Sequence, residues 1–225
     1  MPLGLWHNAF AVRAVRICLR TPSNRPPRYS RYFWLHARRK RLPGIDELFA
    51  VISRWGGLAE SRVLLRGIRL PAPQAALLNA SMGHALDFDD TLDIGGSIHP
   101  GVSVLGSVIA TCDSLGGVAG RGCPIGGRPG LDISCRIALA STLDRGWHRT
   151  AAIGVFGATA AAGKLIHLTP EQMVAAIGIA YSHAAGNRQC ILDGALTKRM
   201  QAGKRRAPAC SLQFWRKPGL PARNI

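Results

Sequence analysis

Ala151-Ala-Ile-Gly-Val-Phe-Gly-Ala-Thr-Ala-Ala-Ala-Gly163 limits the fold of this chain more than any other segment. It is apolar throughout, yet falls short of the ~18 residues that suggest a membrane span. Gly154, Gly157 and Gly163 weaken an isolated helix, since glycine carries the largest backbone entropy cost. The same glycines let neighbouring helices approach closely. The segment therefore predicts a buried central helix over Ala151 to Ile166, with other elements packed around it.

The flanking sequence supplies those elements. Pro71 and Pro73 suit a helix start, and Gln74 to Leu86 is rich in Ala, Leu and Met, which favour helix. Pro100 opens a second helix to about Ser114. Its apolar stripe recurs at Val102, Leu105, Val108 and Ile109, and Gly116-Gly117 closes it. Leu131 to Ser141 predicts a shorter helix. Thr169-Pro170-Glu171-Gln172 combines a capping threonine, a first-turn proline and a capping-box glutamine; that helix runs to about Ala184 and stops at Gly186. No alternation of strand type occurs between residues 70 and 200. The fold class is all-α, a helical bundle with short connections.

The net charge of +17 belongs to the ends. Residues 1–54 hold eleven Lys or Arg against two acids, and residues 199–225 hold seven against none. The middle is close to neutral. This divides the chain into a basic, poorly ordered segment (1–54), a helical domain (55–203) and a basic tail (204–225). Tyr29, Tyr32, Phe33 and Trp34 among arginines, with Arg38-Arg-Lys-Arg41, match a surface that stacks single-stranded nucleic acid. The acid-free, Arg-containing first twenty residues resemble a transit peptide. A solvated basic tail is the commoner meaning of such composition. None of the six cysteines forms a C-x-x-C pair, so the expectation is reduced thiols, no zinc site and a cytoplasmic protein.

Chemistry concentrates between His84 and Pro100, where Asp87, Asp89, Asp90, Thr91 and His99 fall close together. Neighbouring carboxylates repel, which disfavours full ionisation. A titratable group held beside a histidine is what proton transfer uses. The plainer meaning is a helix end with solvated acids, Asp87 and Thr91 sharing a face only if the helix continues.

Leu77-Leu-Asn-Ala-Ser-Met-Gly-His-Ala-Leu-Asp-Phe-Asp-Asp-Thr91, followed by His99-Pro100, resembles the MmgE/PrpD family. Three further blocks match in family order: Gly146-Trp-His-Arg-Thr-Ala-Ala-Ile-Gly-Val-Phe-Gly157, Ala175 to Gly186, and Gly194-Ala-Leu-Thr-Lys-Arg-Met-Gln-Ala-Gly203. The likeness spans roughly 57–117 and 131–203. Residues 118–130 and those from Lys204 depart from it, with the Arg-, Pro-, Gly- and Cys-rich composition of a GC-rich gene read out of frame. The expectation is a truncated, frame-slipped chain without the family's α/β lid domain.

The resemblance implies a cofactor-free lyase acting on small di- or tricarboxylates, most typically dehydrating 2-methylcitrate. Decarboxylation of cis-aconitate and epimerisation are the family alternatives. It implies catalytic roles for Asp87, His99 and His148, and substrate binding by Thr91, Lys198 and Arg199. The residue types suit these roles, because fixed cations hold carboxylates and imidazoles move protons near neutral pH. No metal is implied. The expected partners are a small polycarboxylate and a second copy of the chain, as a homo-oligomer such as a dimer, with no membrane. An inactive remnant and a basic nucleic-acid-binding protein are the rival readings. His84 and His183 are expected as core histidines, and His167 and His7 as surface residues. Apolar helix faces left uncovered by truncation predict association and poor solubility.

Overall fold

The computed structural model describes residues 42–92, 94–95, 97–117, 122–142 and 146–204. Helix α1 (Ile45–Trp55) leads into a two-stranded antiparallel hairpin, β1 (Ser61–Val63) and β2 (Ile68–Leu70). Helices α2 (Ala72–Gly83), α3 (Pro100–Ser114), α4 (Gly122–Ala140), α5 (Arg149–Leu165) and α6 (Pro170–Ser182) follow. A short α7 (Gln189–Leu192) and α8 (Thr197–Lys204) complete the described residues. The architecture is mostly helical. Among the described residues no helix is long and apolar enough to cross a membrane.

Helix α5 is the central element anticipated from its sequence. It is buried along nearly its whole length and packs against α3, α4 and α6. Its glycines act by steric allowance: a Cβ on Gly157 would meet Ser134 Oγ at 1.9 Å and the Gly130 carbonyl at 2.4 Å. Helix α3 starts at Pro100 and ends before Gly116 and Gly117, both at positive φ. The box at α6 forms, with Gln172 N donating to Thr169 Oγ1 and Thr169 N to Gln172 Oε1.

Three features differ from the sequence-based expectation. Helix order reaches back to Ile45, where Ile45 and Ile52 of α1 seal the apolar side of α2 together with Val63 and Leu70. Helix α4 begins well before Leu131 and runs through Pro129, which its Arg-, Pro- and Gly-rich start disguises. Packing against α5 overrides local propensity there, as tertiary context commonly does. His183 is exposed just past the end of α6, not in the core, because the helix stops at Ser182. His167 is on the surface as expected; His7 lies outside the described residues.

The hairpin is fastened to the bundle by polar bonds. Asn79 of α2 accepts from Leu64 N and donates to the Arg62 carbonyl, and Ser61 Oγ donates to Ala110 O at 2.7 Å. The Arg62 guanidinium grips both oxygens of buried Asp113 at the end of α3. Cys112, Cys135 and Cys190 are buried free thiols.

Candidate active site

After α2 ends at Gly83 the described residues up to Pro100 form no helix or strand, and they build the site. Leu92 N donates to Ile98 O at 2.9 Å, and both side chains are buried, which pins the loop base. Asp87 adopts φ +56°, a left-handed conformation that Asp tolerates better than most residues. Asp90 receives the Gly101 N–H at 3.1 Å and so holds the first turn of α3.

Three imidazoles meet beside this loop. His84, fully buried, lies with its ring centroid 4.9 Å from that of His99 in an edge-on arrangement and 5.8 Å from that of His148 in a stacked one. His84 Nδ1 is 2.9 Å from Asp89 Oδ2, and His99 Nδ1 is 3.4 Å from the same oxygen. Asp87 Oδ1 is 3.6 Å from His84 Nδ1, and its other oxygen receives the Lys198 ammonium. His148 Nδ1 is 3.1 Å from Gln201 Oε1. Two imidazoles occupy helix N-caps, His99 before α3 and His148 before α5, and the His99 N–H donates to Thr150 Oγ1. The 146–148 turn is joined to the segment after α6 by His148 N to Gly186 O at 2.9 Å and Arg188 N to Gly146 O at 2.8 Å.

A cavity of about 430 Å³ opens here, lined by Gly95, Ser97, His99, Trp147, His148, Arg149, Thr150, Arg188, Ile191 and Lys198. It therefore joins two imidazoles, three cations and two hydroxyls. Burial pulls His148 down to about 4, outweighing the hydrogen bond to Gln201. Burial also lowers His99, against the attraction of Asp89. For Asp87, burial pushes upward, but the Lys198 hydrogen bond and the nearby imidazoles prevail and hold the carboxyl below its usual range. A protonated Asp87 serving as a proton donor is thus disfavoured.

The structure brings Asp87, His99, His148 and Lys198 together. Thr91 is exposed and is not among the cavity-lining residues. Arg199 turns away, its guanidinium donating to the Pro43 carbonyl at 2.9 Å, so it stands apart from the cavity. Sequence reasoning placed His84 in the core; it is buried, but at the centre of the site. Gln201 and Arg188 were missed as members, and Asp89 was noted in the acid cluster but given no role. Asp89 and Gln201 at least fall within the family-like blocks.

The ligand atoms of His84, Asp87, Asp89 and His99 all lie within 4.8 Å of one another. Imidazole and carboxylate donors of this kind suit a transition metal, an arrangement that linear spacing did not reveal. The Lys198 ammonium on Asp87 opposes a dication in the same place.

The fold and site define a helical domain with a histidine–carboxylate–lysine cluster beside a cavity. The chain belongs to the MmgE/PrpD family, whose N-terminal domain matches residues 37–212. It is similar to human cis-aconitate decarboxylase, 27% identical over 154 residues that cover 61% of this chain and 31% of that protein. The cis-aconitate decarboxylase of Aspergillus terreus is 31% identical over 150 residues, covering 63% of this chain and 30% of that protein. The mouse enzyme of the same name is 29% identical over 123 residues, covering 52% of this chain and 25% of its own length. The chain spans less than a third of the length of these curated relatives.

Proposed function

We propose that this site binds a small di- or tricarboxylate and acts on it as a lyase, moving protons through its imidazoles. The observation that carries this is the convergence of His99, His148, Arg188 and Lys198 on one cavity, with His84 and Asp89 directly behind. Cations fix the substrate's carboxylates, and the N-termini of α3 and α5 favour anions beside them. A cavity of about 430 Å³ is of the size that ordinary small-molecule sites have.

Within that class, the activity named for the relatives favours decarboxylation of cis-aconitate. The bond from carbon to one carboxylate breaks, its electron pair moves into the conjugated system, and carbon dioxide departs. A proton then goes to carbon. His99 is the proposed donor, since it faces the cavity and its lowered pKa makes its imidazolium a ready acid. Lys198 and Arg188 hold the remaining carboxylates, and Asp87 keeps Lys198 in place. Dehydration of 2-methylcitrate is the second reading. It needs a base as well as an acid, and a neutral His148 lining the same cavity as His99 supports it.

Purified protein incubated with cis-aconitate and with 2-methylcitrate tests both readings. Release of carbon dioxide from the first, abolished in His99→Gln, is the expected result. Double-bond absorbance arising from 2-methylcitrate alone would select dehydration. A folded sample that turns over neither would leave the inactive remnant.

A further inference from the structure

Helix α8 presents two polar side chains to the site, three residues apart and hence on one face. Lys198 reaches Asp87, and Gln201 reaches His148. The amide arrives through a gap that only a glycine leaves: a Cβ on Gly186 would lie 3.2 Å from Gln201 Oε1 and 2.7 Å from Ala151 Cβ. The Gly186 carbonyl simultaneously binds the His148 backbone N–H. The imidazole is thereby fixed at its main chain by Gly186 and at its ring by Gln201.

We infer that Gln201 is a positioning residue that sets the tautomer of His148: its carbonyl oxygen holds the proton on Nδ1 and leaves Nε2 as the basic nitrogen. An amide oxygen only accepts, so the 3.1 Å contact requires an Nδ1–H donor. One ring nitrogen's hydrogen bond decides which nitrogen is free for chemistry. With burial keeping the ring neutral, the tautomer is the remaining variable. The inference rests on the reading of His148 as a member of the acid–base site, but its primary test does not require turnover.

Nitrogen-15 NMR of the histidine side chains at neutral pH reads the tautomer directly, with His148 assigned by its loss in His148→Gln. Wild type is expected to show protonated-type Nδ1 and bare-type Nε2. Gln201→Leu, which offers no acceptor, shifts the ring toward Nε2–H, whereas Gln201→Glu retains Nδ1–H. With an active sample, Gln201→Leu lowers kcat about tenfold or more and leaves KM within about twofold, the mark of a lost proton-transfer geometry. Wild-type His148 found as Nε2–H overturns the inference. So does a folded Gln201→Leu with the wild-type pattern, or a Gln201→Glu that loses Nδ1–H; the Glu variant decides if the Leu variant does not fold. If no substrate is turned over, the functional reading fails while the NMR result still decides the role of Gln201.

Discussion

His84 Nδ1 sits 2.9 Å from Asp89 Oδ2, and both side chains are buried. One buried carboxylate thus faces His84 directly and His99 at 3.4 Å. Asp89→Ala leaves the buried His84 N–H without an acceptor, which costs about 1–3 kcal/mol. Asp89→Asn keeps the shape but removes the charge that favours a protonated His99. It should reduce turnover by about 10²–10⁴-fold, the usual worth of a proton-transfer group. Urea unfolding and steady-state kinetics separate the two effects; an Asn variant with full activity would remove Asp89 from the chemistry.

Acid should weaken the fold through its buried imidazoles. His148 is pulled down to about 4 and His99 is also lowered, while unfolding returns both toward 6.5. The unfolded chain therefore binds more protons in that interval, so stability falls as pH drops from about 6.5 toward 4 and is fully present above it. Going from pH 7 to pH 5 should cost about 2 kcal/mol for His148 alone. Urea midpoints measured across the interval should decline, and His148→Gln should flatten the curve.

The contact between α4 and α5 is set by glycine. With Ser134 Oγ 1.9 Å and Gly130 O 2.4 Å from any Cβ at residue 157, Gly157→Ala must push the helices apart. Overpacking of this kind costs about 1–3 kcal/mol. The thermal midpoint should fall, whereas Gly178→Ala, where a Cβ meets open space, should leave it unchanged or raise it.

Arg62→Ala tests the fastening of the hairpin. Asp113 is buried, with its carboxyl held below the usual range because Arg62, by hydrogen bonds and charge, outweighs the upward push of burial. Losing hydrogen bonds to a charged partner costs about 1.5–3 kcal/mol. Amide hydrogen exchange should quicken through 61–70 ahead of α5; uniform quickening would mean that the hairpin is not an independent unit.

Val174, Tyr181 and Leu192 are each more than 70% exposed. Large apolar side chains in solvent favour self-association. Sizing chromatography should show oligomers, and Val174→Ser with Tyr181→Ser should raise the monomer fraction. A single monomer peak for the unmodified chain would contradict this.

The sequence displayed the helices whose signals are local. Pro100 with Gly116, and Thr169 through Gln172, mark their ends by backbone chemistry alone. Helix α1 was hidden because it adjoins a basic, proline-rich stretch, and the start of α4 because Pro129 and its glycines are helix-poor until α5 packs on them. The strands of the hairpin are three residues each, too short to alternate visibly. In the site, Asp87, His99, His148 and Lys198 stood in motifs. Arg199 follows Lys198, but the roughly 100° turn between successive helix positions aims it elsewhere. His84 gave no local sign of its place in the site, since a buried histidine on a small-residue helix is usual in a core; its contacts with Asp89, His99 and His148 distinguish it. Gln201 and Arg188 owe their places to contacts made far along the chain.

The stitch between Gly146, His148, Gly186 and Arg188 makes a solvent-facing bend part of the wall that holds the His148 imidazole. Any residue other than glycine at 186 collides with Ala151 and crowds the Gln201 amide. Lengthening the bend after α6 would slide the imidazole relative to the cavity without altering a single group inside it. Drift in that outer bend is therefore a route to reshaping the cavity while keeping every side chain that lines it.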